Sequence, residues 1–246
     1  MPTQIVEVIR RADQGITRPF ICRADDGETY FVKGRSAGRK SLVAEWICGH
    51  LGKRLGLPIP SFDIVDIPTE IINAGALLGL DYSDLGAGLA FGSRRCEAME
   101  LTSTTAKAVP ADLQLDVLAF DWWIRNADRT LTETGGNPNL FWNPEASSLV
   151  VIDHNQAFDA DFDSASFLDL HVFSTQSAKL FNDMFRRDEY NQRFASALGN
   201  WNEIANTIPE EWFFADPEQT VPADFELESM YQTLQRCNHD DFWGTP

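Results

Sequence analysis

Apolar and β-branched residues gather first in short runs. Gln4–Ile9, Phe20–Arg23 and Glu28–Lys33 read as strands. Asp25, Asp26 and Gly27 make a tight turn between the second and third, because Asp and Gly tolerate positive φ. The period then changes. Val43, Ile47, Leu51 and Leu55 recur every four residues, which predicts a helix from about Ser41 to Leu55 with one buried stripe. Ser41 is its expected N-cap, and Gly56 and Pro58 end it. Another face carries Glu45, Gly49, Gly52 and Gly56. Glycine costs about 1 kcal/mol relative to alanine inside a helix, so this face predicts the close approach of another backbone. Pro60–Ile67 reads as a further strand.

Residues 68–110 mix Gly, Ser and short apolar pieces without a clear period, and a linker is expected near Glu97–Ala108. Pro110 suits a first helical position, and Leu113, Val117, Phe120 and Ile124 form the stripe of the helix that follows. That helix runs into a loop, Asn126–Asn139, and then a strand, Ser148–Ile152. From about Ser174 onward the pattern is mostly helical, with turns near Pro209 and Pro217. The expected fold class is α+β, with a β-rich part over residues 1–105 and a mostly α-helical part over 106–246.

Composition adds bounds. Of 246 residues, 43% are hydrophobic and 23% charged, an ordinary globular balance. There is no run of about 18 apolar residues and no secretory pattern at the start, so no membrane span and a cytoplasmic location are expected. Cys22, Cys48, Cys96 and Cys237 are scattered without a CxxC pair, which fits thiols in a reducing compartment. The four histidines show no zinc-ligand spacing. The formal net charge of −17 repels nucleic-acid phosphates and anionic membranes and attracts basic partners, although acidity equally serves solubility.

Some residues fit a particular chemistry. Phosphoryl transfer needs cations on phosphates, oxygen ligands for magnesium and a carboxylate near the attacking hydroxyl. Lys33 ends a strand and could hold phosphates, and Glu45, twelve residues on, could pair with it. Alone, a strand lysine is an ordinary edge residue. In the loop R-R-A-D-Q-G-I-T-R-P-F, Gly15 and Thr17 could bring backbone N–H groups and a hydroxyl to a phosphate, though a plain hairpin loop reads the same way. Downstream stands D-W-W-I-R-N-A-D-R-T, then N-P-N-L-F-W and V-V-I-D-H-N-Q-A-F. Asp153 closes an apolar strand, a natural place for magnesium, and Asn139 offers a neutral oxygen to the same hard cation. Asp128 is then free to accept a hydroxyl proton. Asn137 rivals Asn139 as ligand, and His154 is either a phosphate contact or a packed ring.

The segment N-A-D-R-T…N-P-N-L-F-W…V-I-D-H-N-Q-A-F resembles the kinase core of the HipA-like family, and is similar in style to type II phosphatidylinositol 4-kinases. F-V-K-G, the helix glutamate and L-G-L-P-I-P fit the same pattern, so the resemblance spans roughly residues 14 to 160. It implies a two-lobed protein-kinase-like fold with a β-rich N-lobe and a mostly α-helical C-lobe. It also implies ATP and Mg²⁺ as cofactors. Lys33 would hold the ATP phosphates with Glu45 as ion-pair partner, Asp128 would be the catalytic base, and Asn139 and Asp153 would bind nucleotide and metal. Gly15, Ile16 and Thr17 would form the phosphate loop, with Thr17 a candidate for autophosphorylation. The sequence departs from protein kinases in two ways. The H-R-D-x-x-x-x-N spacing is not kept, since Asp128 and Asn139 are eleven residues apart, and no G-x-G-x-x-G loop is present. Compared with long-form HipA toxins the sequence is short of an N-terminal subdomain, which puts an antitoxin partner in doubt.

The leading expectation is an ATP- and magnesium-dependent serine/threonine kinase acting on an unidentified, protein phosphate acceptor, without direct nucleic-acid or membrane binding. A pseudokinase or nucleotide-binding module, or a small-molecule or lipid kinase, shares the same core.

Overall fold

The computed structural model describes residues 2–12, 18–132 and 135–244. Among them the chain is mixed α/β with nine α-helices and several sheets. Two compact units account for it, and the chain visits each more than once. The first comprises Met1–Trp46, Pro60–Cys96 and Ile208–Asp224; the second comprises Ile47–Ile59, Glu97–Thr207 and Phe225–Pro246.

The first unit is built on β1 (Thr3–Arg11), β2 (Phe20–Ala24), β3 (Thr29–Lys33), the start of α1 (Arg39–Arg54), β4 (Phe62–Ile67), α2 (Thr69–Leu77) and β5 (Gly88–Arg94). The strands close into a small barrel in the order β1-β2-β3-β5-β4. Closure comes from a short parallel pairing of Thr3 with Val65 and Gln4 with Asp66. Alternation sends Tyr30 and Val32 of β3 into the barrel core with Ile5, Phe20, Cys22, Val65 and Ala90. Lys33 therefore belongs to the opposite set, with Thr29 and Phe31. β5 lies in the stretch without clear periodicity, and it is the strand that joins β3 to β4. Part of the late chain also belongs here: the buried Trp212 indole donates to Leu89 O (2.9 Å), and Glu211 accepts from Leu89 N (2.9 Å).

Two details of α1 differ from expectation. The helix begins at Arg39, two residues before Ser41, with Leu42 N donating to Gly38 O at 3.2 Å. It also has more than one buried stripe, because every residue from 42 to 49 is buried, as in a core helix. The close approach at Gly52 is made by side chains rather than backbone. A Cβ there would lie 2.3 Å from Ile59 Cδ1 and 3.3 Å from the Phe120 ring. Gly56, at φ 83°, ends the helix in the left-handed conformation that glycine adopts freely.

The second unit adds β6 (Met99–Glu100), α3 (Ser103–Ala106), α4 (Ala111–Ile124), β7 (Thr130–Thr132), β8 (Gly135–Asn137), β9 (Leu140–Asn143) and β10 (Ser148–Val151). Helices α5 (Ser164–Leu170), α6 (Ser177–Phe181), α7 (Met184–Leu198), α8 (Trp201–Ala205) and α9 (Leu227–Gln235) follow. Pro110 is the residue before α4, and its carbonyl accepts from Gln114 N at 3.0 Å. From Gln114 to Ile124 only Asp116 is not buried, so α4 is the central helix rather than an amphipathic one. Aromatic rings fill the space around it. Trp123 stacks on Phe194 at 4.4 Å, and its indole donates to Leu234 O at 2.8 Å. Trp122 meets Phe181 edge-on at 4.8 Å. Among the described residues no helix is long and apolar enough to cross a membrane.

Candidate active site

In the first unit, the end of β3 and the second turn of α1 bring Lys33 and Glu45 together. Lys33 Nζ lies 2.5 Å from Glu45 Oε1, and the two side chains are only 10% and 3% exposed. Each sits on a regular element, so the geometry of the pair follows from the backbone. Gly34 then lets the chain pass Leu85, whose carbonyl oxygen lies 2.1 Å from where a Cβ would stand. Gly15, Ile16 and Thr17 lie outside the described residues.

In the second unit, the loop after α4 carries Asp128. Asn137 and Asn139 both donate their side-chain amides to Asp128 Oδ2, at 2.8 and 3.0 Å. The rival asparagines thus share one partner. Burial pushes the Asp128 carboxyl above its ordinary range; the two amide bonds pull it down, the Asp153 charge pushes it up again, and the net shift is upward. Asp153 follows β10 in the left-handed conformation (φ 59°), as does Asn139 before β9 (φ 48°). Of seven non-glycine residues at positive φ among the described residues, Arg125, Asn139, Asp153 and Phe158 fall in or beside this region. Such conformations cost of order 1–3 kcal/mol each and gather where surrounding structure over-determines them. His154 is buried and packs edge-on against Phe120 at 5.7 Å.

The loop is held from beneath by a buried polar network. Arg129 and Asp121 are both fully buried, with Arg129 Nε donating to Asp121 Oδ2 at 2.6 Å. Asn126 donates to the other oxygen of Asp121 at 2.9 Å. His171 Nδ1 accepts from Phe173 N at 3.1 Å, so Nε2 carries the proton and donates to Asp121 Oδ2 at 3.0 Å. Burial pushes the Asp121 carboxyl up, but Arg129 and His171 outweigh it and hold the group at about 2. Burial lowers the His171 imidazole below its ordinary range, against the opposing pull of Asp121.

The donor chemistry fits a magnesium–nucleotide complex. The Asn139 amide nitrogen is engaged by Asp128, which leaves its oxygen for a hard cation, and Asp153 adds a carboxylate from the segment after β10. Among the described residues no group of three or more His, Cys, Asp or Glu could hold a metal ion. A cation here would therefore also draw oxygens from phosphates, as magnesium commonly does.

The family model described as HipA-like kinase matches residues 5–246. The chain belongs to the HipA-like kinase family. The match extends beyond residues 14–160, over the helical C-terminal part that carries no readable motif. A comparison with curated proteins gives no match. Membership in the HipA-like kinases points to a kinase-type phosphotransferase, which implies ATP and a divalent cation.

Sequence reasoning did not single out Asp121, Asn126 or His171. For Asp121 a signal exists: a carboxylate between Phe120 and Trp122 in a buried helix must be paired. For His171, fifty residues from its partner, the sequence holds no comparable sign.

Proposed function

We propose that this HipA-like kinase transfers the γ-phosphoryl group of ATP, with Mg²⁺, to a serine or threonine hydroxyl of a protein acceptor, using a two-lobed kinase-like architecture. The barrel unit would be the nucleotide lobe and the helical unit the catalytic lobe. The observation that carries the reading is the Asp128 carboxylate, fixed through one oxygen by Asn137 and Asn139 and raised in pKa. Its other oxygen is free of those two bonds and can accept the acceptor's hydroxyl proton. The raised pKa makes the carboxylate a better base. The hydroxyl oxygen bonds to the γ-phosphorus, the bond to the bridging oxygen breaks with its electron pair going to ADP, and the proton passes to Asp128. Lys33, held by Glu45, would neutralise phosphate oxygens. Asn139 and Asp153 would hold the cation, which when bound supplies charge neutralisation on the phosphates. The net charge of −17 favours a basic acceptor segment.

The test is transfer from γ-labelled ATP to a panel of basic proteins and to the chain itself. Asp128→Asn and Asp153→Asn should each reduce transfer by about 10²-fold or more with the fold retained. The wild-type rate should fall on acidification as Asp128 takes up its proton. Tight ATP binding with no transfer to any acceptor would instead make the chain a nucleotide-binding module.

A further inference from the structure

The Arg129 guanidinium holds more than its aspartate. Its Nη1 also donates to three backbone carbonyls, those of Pro138, Asn139 and Ile152, at 3.3, 2.7 and 3.1 Å. These are the carbonyl before Asn139, that of Asn139 itself and the one before Asp153. Ile152 N closes the set by donating to Asn139 O at 3.1 Å. One buried cation therefore ties together the two backbone segments that carry Asn139 and Asp153. Both residues are left-handed, a conformation that needs restraint from outside the residue. Arg129 supplies that restraint at both peptide units flanking Asn139 and at the one before Asp153.

The network is anchored on two further sides. Asp121 fixes the guanidinium from the central helix α4. His171 fixes Asp121, and the next residue, Val172, donates its N–H to Arg129 O at 3.0 Å. A purely packing role would be served as well by apolar side chains, since replacing a buried ion pair with them is often neutral or stabilising. What apolar residues could not do is hold three carbonyls at fixed spacing from one point.

We propose that Asp121, Arg129 and His171 are positioning residues for the divalent cation: they set the spacing of Asn139 and Asp153, and hence the affinity for the metal, without touching it. The proposal rests on the reading of Asn139 and Asp153 as metal ligands. Partners of this outer kind commonly change metal affinity 10–100-fold when altered.

The experiment is a titration of the full chain, with ADP bound, by Mn²⁺ followed by electron paramagnetic resonance, together with amide hydrogen exchange on the metal-free protein. The variants are Arg129→Lys, His171→Leu and His171→Gln, with Phe194→Leu as a core variant that destabilises the same unit. Arg129→Lys keeps the charge but not the planar fork. It should weaken Mn²⁺ binding by about 10-fold or more. His171→Leu should weaken it less, and His171→Gln, which keeps a donor towards Asp121, should recover most of the loss. Exchange at the Ile152 and Val172 amides should speed up in Arg129→Lys and His171→Leu, while the Tyr30 amide in the barrel stays protected. Phe194→Leu should lose thermal stability and keep its Mn²⁺ affinity. If the wild type binds no Mn²⁺, the metal reading itself fails, and this shows before any variant is made. If the wild type binds and the folded variants bind equally well, or if Phe194→Leu loses affinity to the same extent, the positioning role is overturned. Should Arg129→Lys fail to fold, the contrast between His171→Leu and His171→Gln decides.

Discussion

The Lys33–Glu45 pair and the Asp128 loop place charged groups by opposite means. Lys33 stands at a strand end and Glu45 inside a helix, so backbone hydrogen bonds already fix both Cα positions, and one ion pair completes the geometry. Among the described residues, the Asp128 loop itself contains the short β7–β8 ribbon and leads into β9. Its backbone turns left-handed at Asn139 and Asp153, and a buried guanidinium takes the place that a ladder of hydrogen bonds would otherwise fill. Regular elements can tolerate the loss of one side chain. A loop whose backbone carbonyls converge on one buried guanidinium depends on that side chain more.

The largest effect should come from Arg129→Ala. It leaves the Asp121 carboxylate fully buried without its cation and frees three carbonyls, and breaking such a pair costs about 3–5 kcal/mol. Denaturant unfolding would measure it, and a loss below about 1 kcal/mol would erase the contrast with the barrel. Lys33→Met removes the cation from Glu45, which is 2% exposed. That should cost about 1–3 kcal/mol, with the barrel still closed by its strand pairing. A cost equal to that of Arg129→Ala would show that the pair is as structural as the loop network.

Acidification should sharpen the comparison, because both histidines with lowered values and the fully buried Asp121 lie in the second unit. His50 is held down to about 4, by burial and then by Lys53 and Arg54, and His171 is also lowered. For each the unfolded chain takes up a proton more readily, so their contribution is complete above pH 6.5 and is lost as pH falls through the folded value. Asp121, at about 2, contributes fully above the ordinary value of 3.8 and loses its contribution as pH drops towards 2. Unfolding free energies measured from pH 7 to 3 should therefore decline, and the decline should be shallower in His171→Gln. The same slope in wild type and variant would remove His171 from the account.

The smallest effect on stability is expected for Asp128→Asn. A raised folded pKa means that this carboxyl's favourable contribution is present below the unfolded value and lost as pH rises through the folded one. Folding disfavours the charged form, so the neutral amide should unfold at pH 7 within about 0.5 kcal/mol of the wild type, or be more stable. A large loss at pH 7 would mean that the Asp128 charge is itself part of the loop's support.

Much of this was legible in the chain, for particular reasons. β2, β3 and β10 were readable as short apolar and β-branched runs, and α1 and α4 because their apolar positions recur every three or four residues. The three-residue apolar run Leu140-Phe141-Trp142 was too short to be read as a strand, yet it forms β9. β5 was not readable because Gly88 and Gly92 interrupt its pattern, and its place is decided by pairing with β3 and β4 on either side. Within the candidate site, the types and order of Lys33, Glu45, Asp128, Asn139 and Asp153 were visible, whereas the sharing of Asp128 Oδ2 by two asparagines was not.

By itself, then, the sequence determined the periodic elements and the order of charged residues along the chain, because both depend on neighbours a few positions away. It also determined the family, since the HipA-like kinase match runs over residues 5–246. Only the tertiary structure decided the closure of the barrel through β1 and β4, the return of Ile208–Asp224 to the barrel unit, and the joining of Asp121 to His171. Each of these depends on residues dozens of positions or more apart. Their contact energies outweigh the entropy of closing such loops only when the whole core assembles around them.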